Sequence, residues 1–320
     1  MSKTYSPVGF IIRVLAIAGS IFALLLVLSV TYDDYGIFRS HTERRIWHKE
    51  KNSKFLLAHK YIPENFDALI VGPSFSNNLN PADIPGYNIY NCSMSGANIT
   101  EVRRAADLVL ERGNLKFIII CMNPFMTKNR GVKGQQLGEM EYWKSALFPS
   151  SLSKSLAARY TYMPRISIKK KKVDGFHAST NGFNDFNLKK KNVNFKKIVK
   201  RSLSRGPKKI IINEKAMEEL DEFLKNCRKK KVQIIAFYYP IYHELLQMQI
   251  DAGYWQRYKK QADKLLRETD IVLDMNSDNY ADINQNPESY SDKHLSNEGA
   301  RKVCKILKET LDEHYRIQKK

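Results

Sequence analysis

Two kinds of apolar run organise the chain. Near the amino end, residues 14–30 form seventeen positions without a charge, and residues 8–12 add five more before Arg13. A run of that length can span a bilayer as a helix. Farther on, the apolar runs shorten and are bounded by turn residues. Ala68–Val71, 87–92, 116–121, 232–238 and Ile271–Asp274 read as strands, the first of them covered on both faces. Between them lie stretches whose apolar positions recur every three or four residues. These predict helices over 100–112, 213–229 and most of 241–267, and a last helix capped by Ser296 that runs to about residue 314. Asn98 and Glu101 have capping-box spacing ahead of the first of these helices, and Gly113 is placed to stop it. Strands alternating with helices predict a three-layer α/β/α fold with a mainly parallel five-stranded sheet, ordered 2-1-3-4-5 in the flavodoxin-like manner.

The long amino-terminal run has two readings, a cleaved signal peptide or an uncleaved anchor. Cleavage needs a small-x-small site, and Leu28-Ser29-Val30 leads instead into Thr31-Tyr32-Asp33-Asp34. An N-terminal transmembrane helix is therefore expected. Lys3 and Arg13 on one flank face Arg39, Arg44, Arg45 and Lys49 on the other, so counting positive charges does not orient it. A short tail with the bulk of the chain after the span favours a single-pass protein of the cytoplasmic membrane whose main domain is extracytoplasmic. The expected layout is tail and anchor over 1–31, a juxtamembrane segment over 32–62, and one α/β domain over 63–316.

Charge adds an interruption. The chain of 320 residues carries +20, and +13 of it lies between Arg165 and Lys209, where fifteen Lys/Arg meet only Asp174 and Asp185. This stretch belongs to a basic insertion at about 125–209 that breaks the strand–helix alternation and includes lysine runs at 169–172 and 189–191. The insertion follows the third strand on the ligand-bearing edge of the sheet, and long insertions in compact domains are commonly lids, binding loops or disordered segments. Its aromatic residues, Phe176, Phe183, Phe186 and Phe195, are too irregularly spaced for a base-stacking platform, and an exported domain does not meet nucleic acid. Cys92, Cys121, Cys227 and Cys304 show neither CxxC nor metal-ligand spacing. His243-Glu244 has Gln247 where a second histidine ligand would stand, so neither metal nor cofactor is expected.

Candidate chemistry comes from two distant places. Gly72 and Pro73 end the first strand and leave Ser74 at its carboxyl end, the edge where open α/β sheets hold ligands. Asp292 and His294 precede the last helix. A serine hydroxyl needs a base to take its proton, and the base needs a carboxylate to orient it, so Ser74, His294 and Asp292 could form such a set. Each residue also has a plainer use. Ser74 could simply make a turn, Asp292 and His294 could form the loop before a helix, and Asn123 could bond the turn at Pro124.

These residues resemble the four sequence blocks of SGNH/GDSL hydrolases. Gly72-x-Ser74 is similar to the first block, Ser95-Gly96-Ala97-Asn98 to the second and Asn123 to the third. Asp292-Lys293-His294-Leu295, continuing to Gly299, is similar to the fourth, with one residue fewer between acid and histidine. Pro73 stands where the family commonly has Asp or Ser. The anchor and the order of elements look more like the membrane-anchored branch, similar to DltD-type and alginate O-acetylation proteins. The resemblance implies Ser74 as nucleophile, His294 as base and Asp292 as its orienter. It also implies an oxyanion hole from the Ser74 and Gly96 backbone N–H groups and the Asn123 side chain. The implied function is that of an exported serine O-acyltransferase or esterase acting on a cell-surface polysaccharide, with a multi-span membrane acyltransferase as partner. The alternatives are a catalytically inactive relative that binds glycan or an assembly partner, and a basic membrane-surface binder that uses the insertion.

Overall fold

The computed structural model describes residues 6–41, 43–44, 50–127, 143–144, 147, 152–153, 180–184 and 194–318. Five strands form one sheet: β1 (Ala68–Val71), β2 (Ile89–Asn91), β3 (Phe117–Met122), β4 (Gln233–Tyr238) and β5 (Ile271–Asp274). Their spatial order is β2-β1-β3-β4-β5 and every neighbouring pair is parallel, as the sequence pattern predicts. β2 is shorter than the 87–92 run. It is an edge strand with only the four residues of β1 to pair with, and its register runs from Ile89 opposite Ala68 to Asn91 opposite Ile70.

Side chains alternate across a strand, so each central strand feeds two cores. Leu69, Val71, Ile118, Ile120, Ile234 and Ala236 pack on one face, against α4 (Ile99–Arg112), α6 (Glu214–Lys229) and α8 (Tyr254–Asp263). Ala68, Ile70, Ile119, Cys121, Ile235 and Phe237 fill the other, beneath α5 (Phe195–Ser204), the short α9 (Ala281–Asn284) and α10 (Asn297–Gln318). Each fully buried Ile, Leu or Phe contributes about 1.5–3 kcal/mol, and this two-sided burial is why the strands read as unbroken apolar runs.

Local signals set the helix ends. The Asn98 side chain accepts from Glu101 N at 3.0 Å, and the Glu101 carboxylate accepts from Asn98 N at 3.2 Å, completing the capping box of α4. Gly113 follows α4 in an extended rather than left-handed conformation, with φ −112°. A Cβ there would lie 3.0 Å from both Pro63 Cβ and the Val109 carbonyl, so space, not backbone freedom, favours glycine. The predicted long helix over 241–267 is divided into α7 (His243–Asp251) and α8, because Gly253 takes a left-handed φ of +68° between them.

Among the described residues, α1 (Pro7–Tyr32) is the one helix long and apolar enough to cross a membrane. Its 26 residues rise about 39 Å, more than a bilayer's hydrocarbon core of about 30 Å. Asp33 caps it in the left-handed region, and the buried Asp33 carboxylate accepts from Ile37 N at 2.8 Å and pairs with Arg44 at 3.0 Å. Beyond this junction, α2 (Glu50–Leu57) and α3 (Tyr61–Asn65) place Leu57, Tyr61 and Ile62 in the core beside β1. Of the basic insertion, the lysine runs at 169–172 and 189–191 lie outside the described residues. Its last part forms α5, which packs against α7, with Phe195 stacked on Tyr290 at 5.2 Å and edge-on to Tyr242 at 5.1 Å.

Candidate active site

The turn after β1 is built so that only glycine fits at its start. Gly72 has φ +156°, and a Cβ there would fall 2.5 Å from Ser76 Oγ and 2.7 Å from Cys121 Cβ. The chain then folds back tightly, with Ser76 N bonded to the Pro73 carbonyl at 3.2 Å. Asn91, at the end of β2, fastens the turn by donating its amide to the carbonyls of Ser76 and Leu79, each at 2.8 Å. Ser74 is left partly exposed on this turn while its neighbours Phe75, Ser76, Asn77 and Asn78 are buried.

The second loop is a small closed unit. Tyr290 and Leu295 form an isolated antiparallel bridge, and Ser291 N donates to the His294 carbonyl at 3.0 Å. Gly299, at the start of α10, is forced by space, since a Cβ would lie 2.2 Å from the Ser289 carbonyl. Ser296 caps this helix, its Oγ accepting from Gly299 N at 3.2 Å. Asp292 Oδ1 accepts from both the backbone N and the ring Nδ1 of His294, each at 2.8 Å. That carboxylate places the ring proton on Nδ1 and leaves Nε2 as an acceptor. Nε2 lies 3.0 Å from Ser74 Oγ.

The structure thus brings Ser74, His294 and Asp292 together across 220 residues of sequence. His294 is only 5% exposed, and its ring stacks on Phe75 with centroids 4.9 Å apart and planes 27° from parallel. Held on two sides, the imidazole is positioned to take the Ser74 proton, and the partly exposed hydroxyl can meet a substrate.

Asn123 follows β3 and is 6% exposed. Its Oδ1 accepts from Phe125 N at 2.9 Å, which orients the amide and leaves its nitrogen to donate elsewhere. Asn123, Phe75 and Asp292 border a common cavity of about 450 Å³. Gly96 does not border that cavity; it sits on the loop at 93–96, whose Met94 N–H donates to the Gly72 carbonyl at 3.0 Å. It takes φ +63°, and its carbonyl accepts from Lys51 Nζ at 3.1 Å.

A buried ionic network under the loop at 93–96 is not apparent in the sequence pattern. Glu50 and Lys54, one turn apart on α2, are both buried and lie 3.5 Å from each other. Glu50 accepts from Ser95 N at 2.7 Å and from Asn184 Nδ2 at 2.9 Å, and Lys54 donates to the Ser93 carbonyl. Ser93 Oγ in turn lies 2.8 Å from Ser76 Oγ, on the turn that carries Ser74. Burial lowers the Lys54 pKa from its ordinary value, an effect the Glu50 carboxylate opposes. The neighbouring Cys92 thiol is pushed up to about 11 by burial, so it stays protonated at neutral pH. The one sequence signal for this network is the i, i+4 spacing of Glu50 and Lys54, which is equally common on exposed helices.

No family model matches this chain. No curated protein matches it. Among solved structures, it is similar to one from Streptococcus pneumonia provisionally named a platelet activating factor, at 12% identity and a TM-score of 0.42, over 92% of this chain and 99% of that one.

Proposed function

We propose that the protein is an exported serine esterase or O-acyltransferase that passes an acyl group through Ser74, to or from a hydroxyl of a cell-surface polysaccharide. The observation that carries this reading is the 3.0 Å separation of Ser74 Oγ and His294 Nε2, with Asp292 Oδ1 2.8 Å from Nδ1. In the first half-reaction Ser74 Oγ adds to the ester carbonyl carbon and its proton passes to His294 Nε2. The carbonyl re-forms, the bond to the leaving alkoxide breaks, and that oxygen takes the proton from His294. In the second half, water or a sugar hydroxyl gives His294 a proton and attacks the acyl carbon. The acyl–serine bond then breaks and Ser74 recovers its proton. In this reading the Ser74 and Gly96 backbone N–H groups and Asn123 Nδ2 serve the oxyanion, where losing one donor typically costs about 2.7–4 kcal/mol of barrier.

The polymer substrate and the extracytoplasmic side rest on α1, on the resemblance of residues 72–74, 95–98 and 292–299 to SGNH/GDSL hydrolases, and on an order of elements that looks like their membrane-anchored branch. The acyl group would be handed over by a multi-span membrane acyltransferase. The first test is labelling of the full chain in membranes with a fluorophosphonate. A single adduct on the Ser74 peptide is expected, and it should be absent from Ser74→Ala and His294→Ala. An unlabelled wild type, or unchanged labelling of Ser74→Ala, would remove the enzyme reading. For the acceptor, the labelled-serine competent protein should release or transfer acyl groups on isolated cell-surface polysaccharide, and Ser74→Ala should do neither.

A further inference from the structure

The cavity bordered by Phe75, Asn123 and Asp292 is far larger than a two-carbon acyl group requires. Its volume of about 450 Å³ falls in the range of about 300–1,000 Å³ that holds whole small-molecule ligands. Its walls are apolar: Phe125 and Phe195, then Ile210 from the segment after α5, Ile241 just before α7, and Leu245 and Met248 on α7. Phe195, at the start of α5, is joined to the rest of the wall by its stack on Tyr290 and its edge-on contact with Tyr242. Ser74 and His294 do not themselves border the cavity, but Phe75, which follows Ser74 and stacks on the His294 ring, and Asp292, which holds that ring, both do.

The polar groups around this cavity are strongly biased in sign. Arg205, Lys208, Lys209 and Lys293 line it and are exposed at its mouth. The one carboxylate in the lining, Asp292, is already bonded to His294. The Tyr290 hydroxyl, buried in the same wall, has no hydrogen-bond partner among the described residues. Apolar walls select a hydrocarbon chain, and cations at the mouth that have no carboxylate partner among the described residues select an anion.

We infer that this cavity binds an anionic amphiphile, the acyl-bearing substrate, whose hydrocarbon chain is longer than acetyl and lies between α5 and α7 while its anionic group meets Arg205, Lys208 and Lys209. The inference rests on the serine reading for its chemistry, since it places the acyl chain next to Ser74. Its recognition part stands on the cavity alone. The mouth cations distinguish this ligand from a neutral sugar ester, which would leave them unused.

Binding can be measured without turnover. The full chain in phosphatidylcholine nanodiscs should bind octyl phosphate about tenfold or more tighter than octanol or inorganic phosphate, read by calorimetry against empty nanodiscs. Leu245→Trp and Met248→Trp, which fill the cavity from two positions on α7, should each remove that binding. Lys208→Gln combined with Lys209→Gln should remove the advantage of octyl phosphate over octanol. In turnover, p-nitrophenyl octanoate should exceed the acetate ester about tenfold in kcat/KM, and Leu245→Trp should reverse the ratio. Octyl phosphate that binds no tighter than phosphate, or that is indifferent to both tryptophans, would overturn the inference. Octyl phosphate binding with no turnover of either ester would instead overturn the serine reading and support the amphiphile site.

Discussion

Asn78 Nδ2 donates to the Leu295 carbonyl at 2.8 Å, and both residues are buried. This bond ties the turn that carries Ser74 directly to the residue after His294. It is therefore a candidate for fixing the 3.0 Å approach of Oγ and Nε2. Asn78→Ala leaves a buried carbonyl without its donor, which costs about 1–3 kcal/mol of stability. A displacement of about 1 Å at a reacting pair can cost about a hundredfold in rate. The expected result is a fall in kcat with KM little changed, and a matching fall in the rate of fluorophosphonate labelling. Labelling at the wild-type rate in a folded Asn78→Ala would show that the loops keep register without it.

The hydrogen-bond chain from Asp292 through His294 to Ser74 predicts strong non-additivity. Ser74→Ala and His294→Ala should each abolish acyl-enzyme formation, and the double variant should lose little more, because the residues act as a unit. Asp292→Asn should retain a small residue of activity. An amide at that position can donate to Nδ1, which would move the ring proton to Nε2, facing Ser74, and this kind of change costs about 10⁴ in kcat elsewhere. Residual kcat/KM of the four variants on a p-nitrophenyl ester decides the matter. Additive losses would mean that Ser74 and His294 do not act together.

How far the sequence speaks depends on distance along the chain. β1, β3 and α4 were legible because their signals are local: an unbroken apolar run, a capping pair, a glycine after the last turn. The positions of Ser74 at a strand end and of Asp292 and His294 before a helix were readable for the same reason. Gly253 inside an apolar-periodic stretch does not announce a break, since helical spacing on either side of a left-handed glycine looks continuous. Asn78 and Leu295 lie 217 residues apart, and nothing in either local pattern announces their bond. Glu50 and Lys54 look like an ordinary surface pair until the sheet and the loop at 93–96 close over them. The cavity is formed by an insertion helix meeting α7, a non-local product of packing.

The amino-terminal helix makes a prediction about location. Phe10, Ile12, Leu15, Ile17 and Leu24 are exposed along α1, and none of the described residues covers them. The full chain should stay in the membrane fraction after carbonate washing. Residues beyond Asp33 should be open to protease added from outside the cytoplasm. A soluble product trimmed near residue 30, or protection of the main domain in intact spheroplasts, would place the protein differently.

Glu50 and Lys54 give a prediction with a definite sign in pH. Both side chains are almost fully buried, so removing one partner exposes the cost of the other, about 3–5 kcal/mol for a broken buried pair. Glu50→Gln should therefore lower the thermal midpoint sharply at neutral pH. Lys54 already has a lowered pKa in the folded protein, chiefly from burial, and without the carboxylate that opposes this its pKa falls further. Between that folded pKa and the ordinary value of 10.5, the unfolded chain binds the extra proton and the folded one does not. Stability of the variant must then rise as pH rises through this window. The deficit relative to wild type should narrow from pH 7 toward pH 9, and Lys54→Met placed on top of Glu50→Gln should remove the pH dependence. The Ser95 N–H is left with a neutral amide oxygen in place of the carboxylate at every pH, however, and that weaker acceptor leaves the loop at 93–96 loosened. Fluorophosphonate labelling of Glu50→Gln should remain slow at pH 9, where its stability has recovered. Labelling that recovers in step with the thermal midpoint would reduce Glu50 to a stability element with no hold on the site.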